Sequence, residues 1–104
     1  MKLLTKEIKK KIPKLRTTEN KKPEEIPIIC KFFDPTGSWT WYVCEGESQG
    51  DDFIFYGFVR GMENEFGSFS LNELQSFKGR FGLGVERDLH FGKHTLKEAM
   101  EKQI

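Results

Sequence analysis

Between Phe32 and Phe69 apolar and polar residues alternate in short runs, and eleven of the chain's fourteen Phe, Trp and Tyr residues lie in this stretch. A period of two marks strands, because successive side chains point to opposite faces of a sheet. Four runs follow one another: Ile26–Phe33, Trp39–Glu45, Phe53–Arg60 and a short one ending near Phe69. Asp34-Pro35-Thr36-Gly37, between the first two, suits a type I turn with Gly37 in the left-handed conformation of a following bulge. Such a three-residue loop would pair Phe33 with Trp39, Lys31 with Trp41 and Cys30 with Tyr42. Gly46–Asp52 forms the next loop, and Glu63-Asn64-Glu65 turns the chain into the fourth run, so an antiparallel meander is expected. In the third run Phe53, Phe55 and Val59 alternate with Ile54, Tyr56 and Phe58, which predicts a central strand covered on both sides. Gly57 in its middle marks a bulge or a ring crossing the backbone. With aromatic side chains on both faces, the sheet is expected to have one face fully covered and the other covered in part. The leftover aromatic surface is the candidate binding site.

Helical spacing appears on either side of this region. Thr5 caps a short N-terminal helix whose stripe is Leu4, Ile8, Ile12 and, beyond Pro13, Leu15. Pro13 ends that helix, and residues 16–27, with two more prolines and many charges, read as an exposed linker into the sheet. Ser70 and Glu73 form a capping box that opens a helix from Leu71 to about Phe77, closed by Gly79, and a flexible loop with Gly82 and Gly84 follows. Val85–Phe91 alternates as a fifth strand, and Thr95 with Glu98 opens a terminal helix that touches the body through Leu96, Ala99 and Met100. The fold class expected is α+β in one domain, residues 1–104. It comprises an antiparallel sheet of about five strands (a four-strand meander plus one), a helix between strands four and five, and a short helix at each end.

Composition adds a charge layout to this picture. The net charge is +1, from 17 basic and 16 acidic residues, which excludes a histone-like polyanion binder and an acidic mimic of DNA. The distribution is uneven. Residues 1–27 hold nine Lys or Arg against four Glu, whereas residues 34–73 hold eight acids against Arg60 alone. The lysines at 6, 9, 10 and 11 read first as the solvated side of the N-terminal helix. No run of apolar residues is long enough for a membrane span or a signal peptide, so a soluble cytoplasmic protein without a membrane partner is expected. Cys30 and Cys44 match no metal or redox spacing and read as small buried hydrophobes on one face, offset diagonally, with no disulfide between them.

Three constellations carry candidate chemistry. Phe33, Trp39 and Trp41 would share one face of the first hairpin, with Lys31 opposite Trp41, as a surface for bases or for a protein partner. Glu63 and Glu65, and Glu86 and Asp88, each place two carboxylates on one side of a strand; were the strands adjacent, four acids would converge on a hard cation or act as an acid/base pair. Otherwise they are the wet sides of edge strands. Gly79, Gly82 and Gly84 lack the helix and the lysine of a phosphate loop, and His90 and His94 are separated by Gly92 and lack a third ligand. No serine or cysteine nucleophile motif is present. No cofactor, metal or catalytic residue is therefore assigned, and enzymatic activity is not expected.

Met1-Lys2-Leu3-Leu4-Thr5, Lys31-Phe32-Phe33, Trp39-Thr40-Trp41-Tyr42 with Glu45, Gly57-Phe58-Val59 with Gly61, Phe69-Ser70-Leu71 with Glu73-Leu74, and Glu86-Arg87-Asp88 occur here in one order along nearly the whole chain. In this the chain resembles the family catalogued as domain of unknown function 2958. The resemblance implies a small accessory protein of plasmids, conjugative elements or phages, and it carries over no catalytic residue. The leading expectation is non-catalytic binding to a protein partner in DNA metabolism or host defence, through Phe33, Trp39 and Trp41 with charge from the acidic middle. One alternative is single-stranded nucleic-acid binding through the aromatic sheet face, Lys31 and the basic N-terminus. A second is a metal-dependent hydrolase using Glu63, Glu65, Glu86 and Asp88.

Overall fold

In a computed structural model describing residues 1–104, the alternating runs form a single antiparallel sheet. Its strands are β1 (Cys30–Phe33), β2 (Thr40–Gln49), β3 (Asp52–Arg60), β4 (Asn64–Ser70) and β5 (Glu86–Arg87), in the spatial order β4-β3-β2-β1-β5. Three six-residue helices accompany it: α1 (Lys6–Lys11), α2 (Leu71–Ser76) and α3 (Leu96–Glu101). The fold is thus α+β, with the expected meander in β1–β4. The fifth strand is shorter than Val85–Phe91, because only Glu86 and Arg87 pair with β1 before the chain turns away at Asp88.

The helix signals act where the sequence places them. Thr5 Oγ1 accepts the Ile8 N–H, Ser70 Oγ accepts the Glu73 N–H, and Thr95 and Glu98 cap each other reciprocally. Each bond satisfies a donor that a helix start leaves unpaired. Ile12, just before Pro13, is already extended, as the proline ring requires.

Two apolar layers enclose the sheet. On one face Leu3, Leu4 and Ile12 from the N-terminal segment, Leu74 of α2 and Val85 pack on Phe32, Trp41, Val43, Phe53, Phe55 and Phe69. On the other, Ile26, Ile28 and Leu96 and Ala99 of α3 pack on Tyr42, Cys44 and Phe58. Leu15 does not continue the helical stripe as expected. Beyond Pro13, whose carbonyl accepts the Gly46 N–H at 2.9 Å, the chain passes to the second face, and Leu15 joins a groove there.

The register of the first hairpin differs from expectation by one residue, with Phe33 opposite Thr40, Phe32 opposite Trp41, Lys31 opposite Tyr42 and Cys30 opposite Val43. The cause lies in the turn. Asp34 Oδ1 accepts both the backbone N–H and the hydroxyl of Thr36 at 3.1 Å, and the Asp34 N–H donates to the Trp39 carbonyl, so Ser38 is drawn into the loop. Gly37 is not left-handed; glycine is needed because a Cβ there would lie 2.3 Å from Asp34 Oδ2. A one-residue slip exchanges the faces of a strand.

A bulge between Val43 and Glu45 changes the faces again along β2. It turns Glu45 toward Tyr56, while the register slip puts Cys30 opposite Val43 in the first layer and Cys44 stays with Tyr42 in the second, so the two thiols do not share a face as expected. Both are free. Gly57 stands opposite this bulge, facing Val43, and what crosses it is backbone: a Cβ at 57 would fall 1.8 Å from the Tyr42 carbonyl oxygen.

Candidate functional site

The altered register divides the expected aromatic patch. Trp39 and Trp41 lie on the first face, stacked at 5.8 Å with their planes 24° apart, and Trp41 meets Phe77 edge-on at 5.7 Å. Trp41 is buried, whereas Trp39 is half-buried with its ring over Gly61, where a Cβ would lie 2.3 Å from it. Phe33 and Lys31 lie on the opposite face. Lys31 Nζ is 3.6 Å from the Asp88 carboxylate and sits near the rings of Phe33 and Phe91, at 5.7 and 5.9 Å. Its charge is engaged within the fold.

The four carboxylates do not converge. Glu63 in the β3–β4 turn and Glu65 in β4 lie at one edge of the sheet, while Glu86 in β5 and Asp88 just after it lie at the other. Asp88 also accepts the His90 N–H at 2.9 Å, in addition to facing Lys31. An acid/base pair or a shared cation needs its groups within a few ångströms. The separation removes the geometric basis of the hydrolase reading.

Apart from Phe81 in the segment after α2, the aromatic surface left open is on the second face of the sheet. Ile26, Ile28 and α3 cover that face only over β1, β2 and part of β3, and Tyr56 (37% exposed) and Phe66 (43% exposed) remain accessible. They sit on adjacent strands, where Tyr56 faces Ser68 and Phe66 faces Phe58, with the two Phe rings 5.1 Å apart. With Leu15, Ile26, Cys44 and Leu96 they line a half-open groove of about 570 Å³. Arg16, Glu19 and Lys21 stand along its wall, so apolar floor and charged rim meet in one concavity.

The wall is the stretch 16–27. Most of its side chains face solvent, yet Thr18 and Ile26 are buried and a 3-10 turn occupies Pro23–Glu25. Glu45, only 4% exposed, holds it. One carboxylate oxygen accepts the Arg16 N–H at 2.8 Å; the other accepts the Thr18 N–H at 2.8 Å and the Thr18 hydroxyl. Arg16 takes a left-handed backbone (φ 74°) in making this contact. A buried acid without a cation is tolerated when several donors converge on it, so Glu45 is a structural clamp that fixes the rim to the floor. Neither Glu45 nor the Tyr56–Phe66 pair stands out in the sequence as a site. The one available signal is Phe66, an isolated apolar residue in the polar run Asn64–Ser68.

The reactive groups in and near the groove are subdued. Burial pushes the Cys44 thiol up to about 12, with a further push from the Glu45 carboxylate; burial likewise takes Cys30 to about 12 against the pull of Arg87. Neither is a nucleophile at neutral pH. Burial also raises the Tyr42 phenol, whose hydroxyl donates to the Ile104 carbonyl at 2.8 Å. A groove with an apolar floor, a fixed rim and weakly reactive groups is suited to holding side chains.

Comparison with known proteins agrees with a chain of unassigned role. The profile of the family described as "Protein of unknown function (DUF2958)" matches residues 3–101 of the 104. No curated protein and no solved structure matches the chain. No helix is long and apolar enough to cross a membrane.

Proposed function

We propose, from the premise that this chain belongs to the DUF2958 family of proteins of unknown function, that it works by non-catalytic binding of a protein partner. The setting implied by the resemblance is DNA metabolism or host defence. The observation that carries the reading is the groove floored by Tyr56 and Phe66: two adjacent rings left open on an otherwise covered sheet, beside a rim fastened through Glu45. Exposed aromatic residues in a preformed concavity are the usual anchors of protein interfaces, since they bury large area at small entropic cost. This replaces the hairpin patch as the contact surface, because Trp41 is enclosed and Phe33 and Lys31 face away from the tryptophans.

The test is capture from nuclease-treated host extract on the immobilised wild-type chain and on a Tyr56→Ala/Phe66→Ala variant that keeps its circular dichroism spectrum. The expected result is a protein retained after nuclease treatment, with affinity for the variant lower by about 2 kcal/mol, or roughly thirty-fold. Loss of the retained protein on nuclease treatment would point to a nucleic-acid tether and defeat the reading. Equal retention by both chains would defeat the assignment to this groove.

A further inference from the structure

The two edges of the sheet differ in how they are closed. At β5 the exposed length is two residues, and Arg87 donates to the Lys2 and Leu3 carbonyls, laying the N-terminal segment alongside. At β4 seven residues run in unbroken register with β3, from Asn64 opposite Arg60 to Ser70 opposite Ile54, and no strand lies beyond them. An edge strand turns every second residue's N–H and C=O outward, and proteins normally blunt such an edge with lysine, proline or a bulge. β4 has none of these.

Its side chains are sorted by face. Phe66 and Ser68 point to the groove beside Tyr56, while Glu65, opposite Val59, points to the other face. From Gly61 to Ser76 the chain carries Glu63, Glu65 and Glu73 and no Lys or Arg. A second copy of this chain would bring the same carboxylates to the edge and no cation, so like charges would oppose self-pairing.

Resting on the reading of the chain as a protein-binding module, we propose that β4 receives an extended, basic segment of the partner as a sixth strand. Residues on the groove side of that segment are apolar and lie against Phe66 and Ser68 of β4, with Tyr56 one strand further in; the alternate residues on the other side are Lys or Arg and meet Glu65. Backbone hydrogen bonds supply attachment, and the alternation of apolar and basic residues supplies selectivity.

The experiment uses the full chain and three synthetic peptides of about ten residues: one alternating Lys and Val, one alternating Glu and Val, and one Lys/Val peptide with two central prolines that cannot complete a ladder. Hydrogen exchange and fluorescence anisotropy are read for each. The Lys/Val peptide is expected to slow exchange of amides within Asn64–Ser70 by about tenfold or more at saturation, and to bind at least about tenfold more tightly than either control. Glu65→Lys, an exposed change that leaves the fold intact, is expected to weaken the Lys/Val peptide and strengthen the Glu/Val peptide. No binding of the Lys/Val peptide at about 1 mM, protection confined to residues outside β4, or indifference to Glu65→Lys would each overturn the edge assignment. Those results leave groove-dependent capture standing as a separate outcome, since capture depends on Tyr56 and Phe66.

Discussion

Two residues hold places where this fold tolerates little change. Gly57 lies so close to the Tyr42 carbonyl oxygen that a methyl group would sit 1.8 Å from it, and the obstacle is backbone inside a central strand pair. Gly57→Ala must push β2 and β3 apart, and a loss of about 3 kcal/mol or more in chemical denaturation is expected, near the top of the range for overpacked sites. Glu45 is the second. Glu45→Ala leaves the Arg16 and Thr18 N–H groups and the Thr18 hydroxyl without their acceptor, at a cost of about 2 to 3 kcal/mol. The loss is local to the rim, so limited trypsin digestion should cut at Lys14, Arg16 or Lys21 faster in the variant than urea denaturation alone would predict. Uniform acceleration at all lysines would show instead that Glu45 supports the whole fold.

At the scale of elements, α2 is tied to the sheet by Asp52, and that tie depends on pH. Asp52 Oδ1 accepts the Phe53 N–H at 2.8 Å and the Asn72 N–H at 3.0 Å. Desolvation pushes its carboxyl up, but these bonds and one from the Ser70 hydroxyl outweigh it and hold the group below its ordinary 3.8. Glu98 is likewise held below 4.5, by its hydrogen bond to His94 first and by the Thr95 N–H second. A depressed carboxylate stabilises the fold fully above its unfolded value and ceases to do so as pH falls through the folded one. Stability should therefore be level from neutrality to about pH 5 and fall below pH 4.5 and 3.8 in turn. Asp52→Asn should be less stable at neutral pH and flatter below pH 3.8, as measured by thermal melts across that range. The elements themselves were legible in the sequence wherever local chemistry decides: the Thr5, Ser70 and Thr95 caps, the Pro13 stop and the meander all stand where their residues put them. The hairpin register was not, because an Asp34 side chain bonded to Thr36 lengthens the loop by one residue, and that residue decides which face carries Phe33. Nor was the groove, since what leaves Tyr56 and Phe66 uncovered is the path of residues 15–26 and of α3 across the second face, a tertiary matter no period reveals.

For the whole molecule the charge layout separates the two remaining modes of contact. The basic residues of the first 27 positions project from α1 and from the rim of the groove, where Arg16 and Lys21 stand beside Glu19, whereas the edge at β4 carries only the carboxylate of Glu65. A single-strand binding face needs stacking rings and phosphate-pairing cations on one surface. Here Lys31 is held by Asp88, Phe33 and Phe91, and the half-buried Trp39 is stacked on Trp41. Contacts of an oligonucleotide with the hairpin face should then be absent, leaving the lysines of α1 and the rim cations Arg16 and Lys21, which bind weakly and without sequence preference. A fluorescein-labelled oligothymidine of about 20 nucleotides is expected to bind only at low ionic strength, to lose that binding by about 200 mM salt, and to bind Trp39→Ala equally well. Binding that survives such salt and drops by about 1 to 3 kcal/mol in Trp39→Ala would place a base on the indole. That outcome would return the tryptophan pair to the centre of the protein's function.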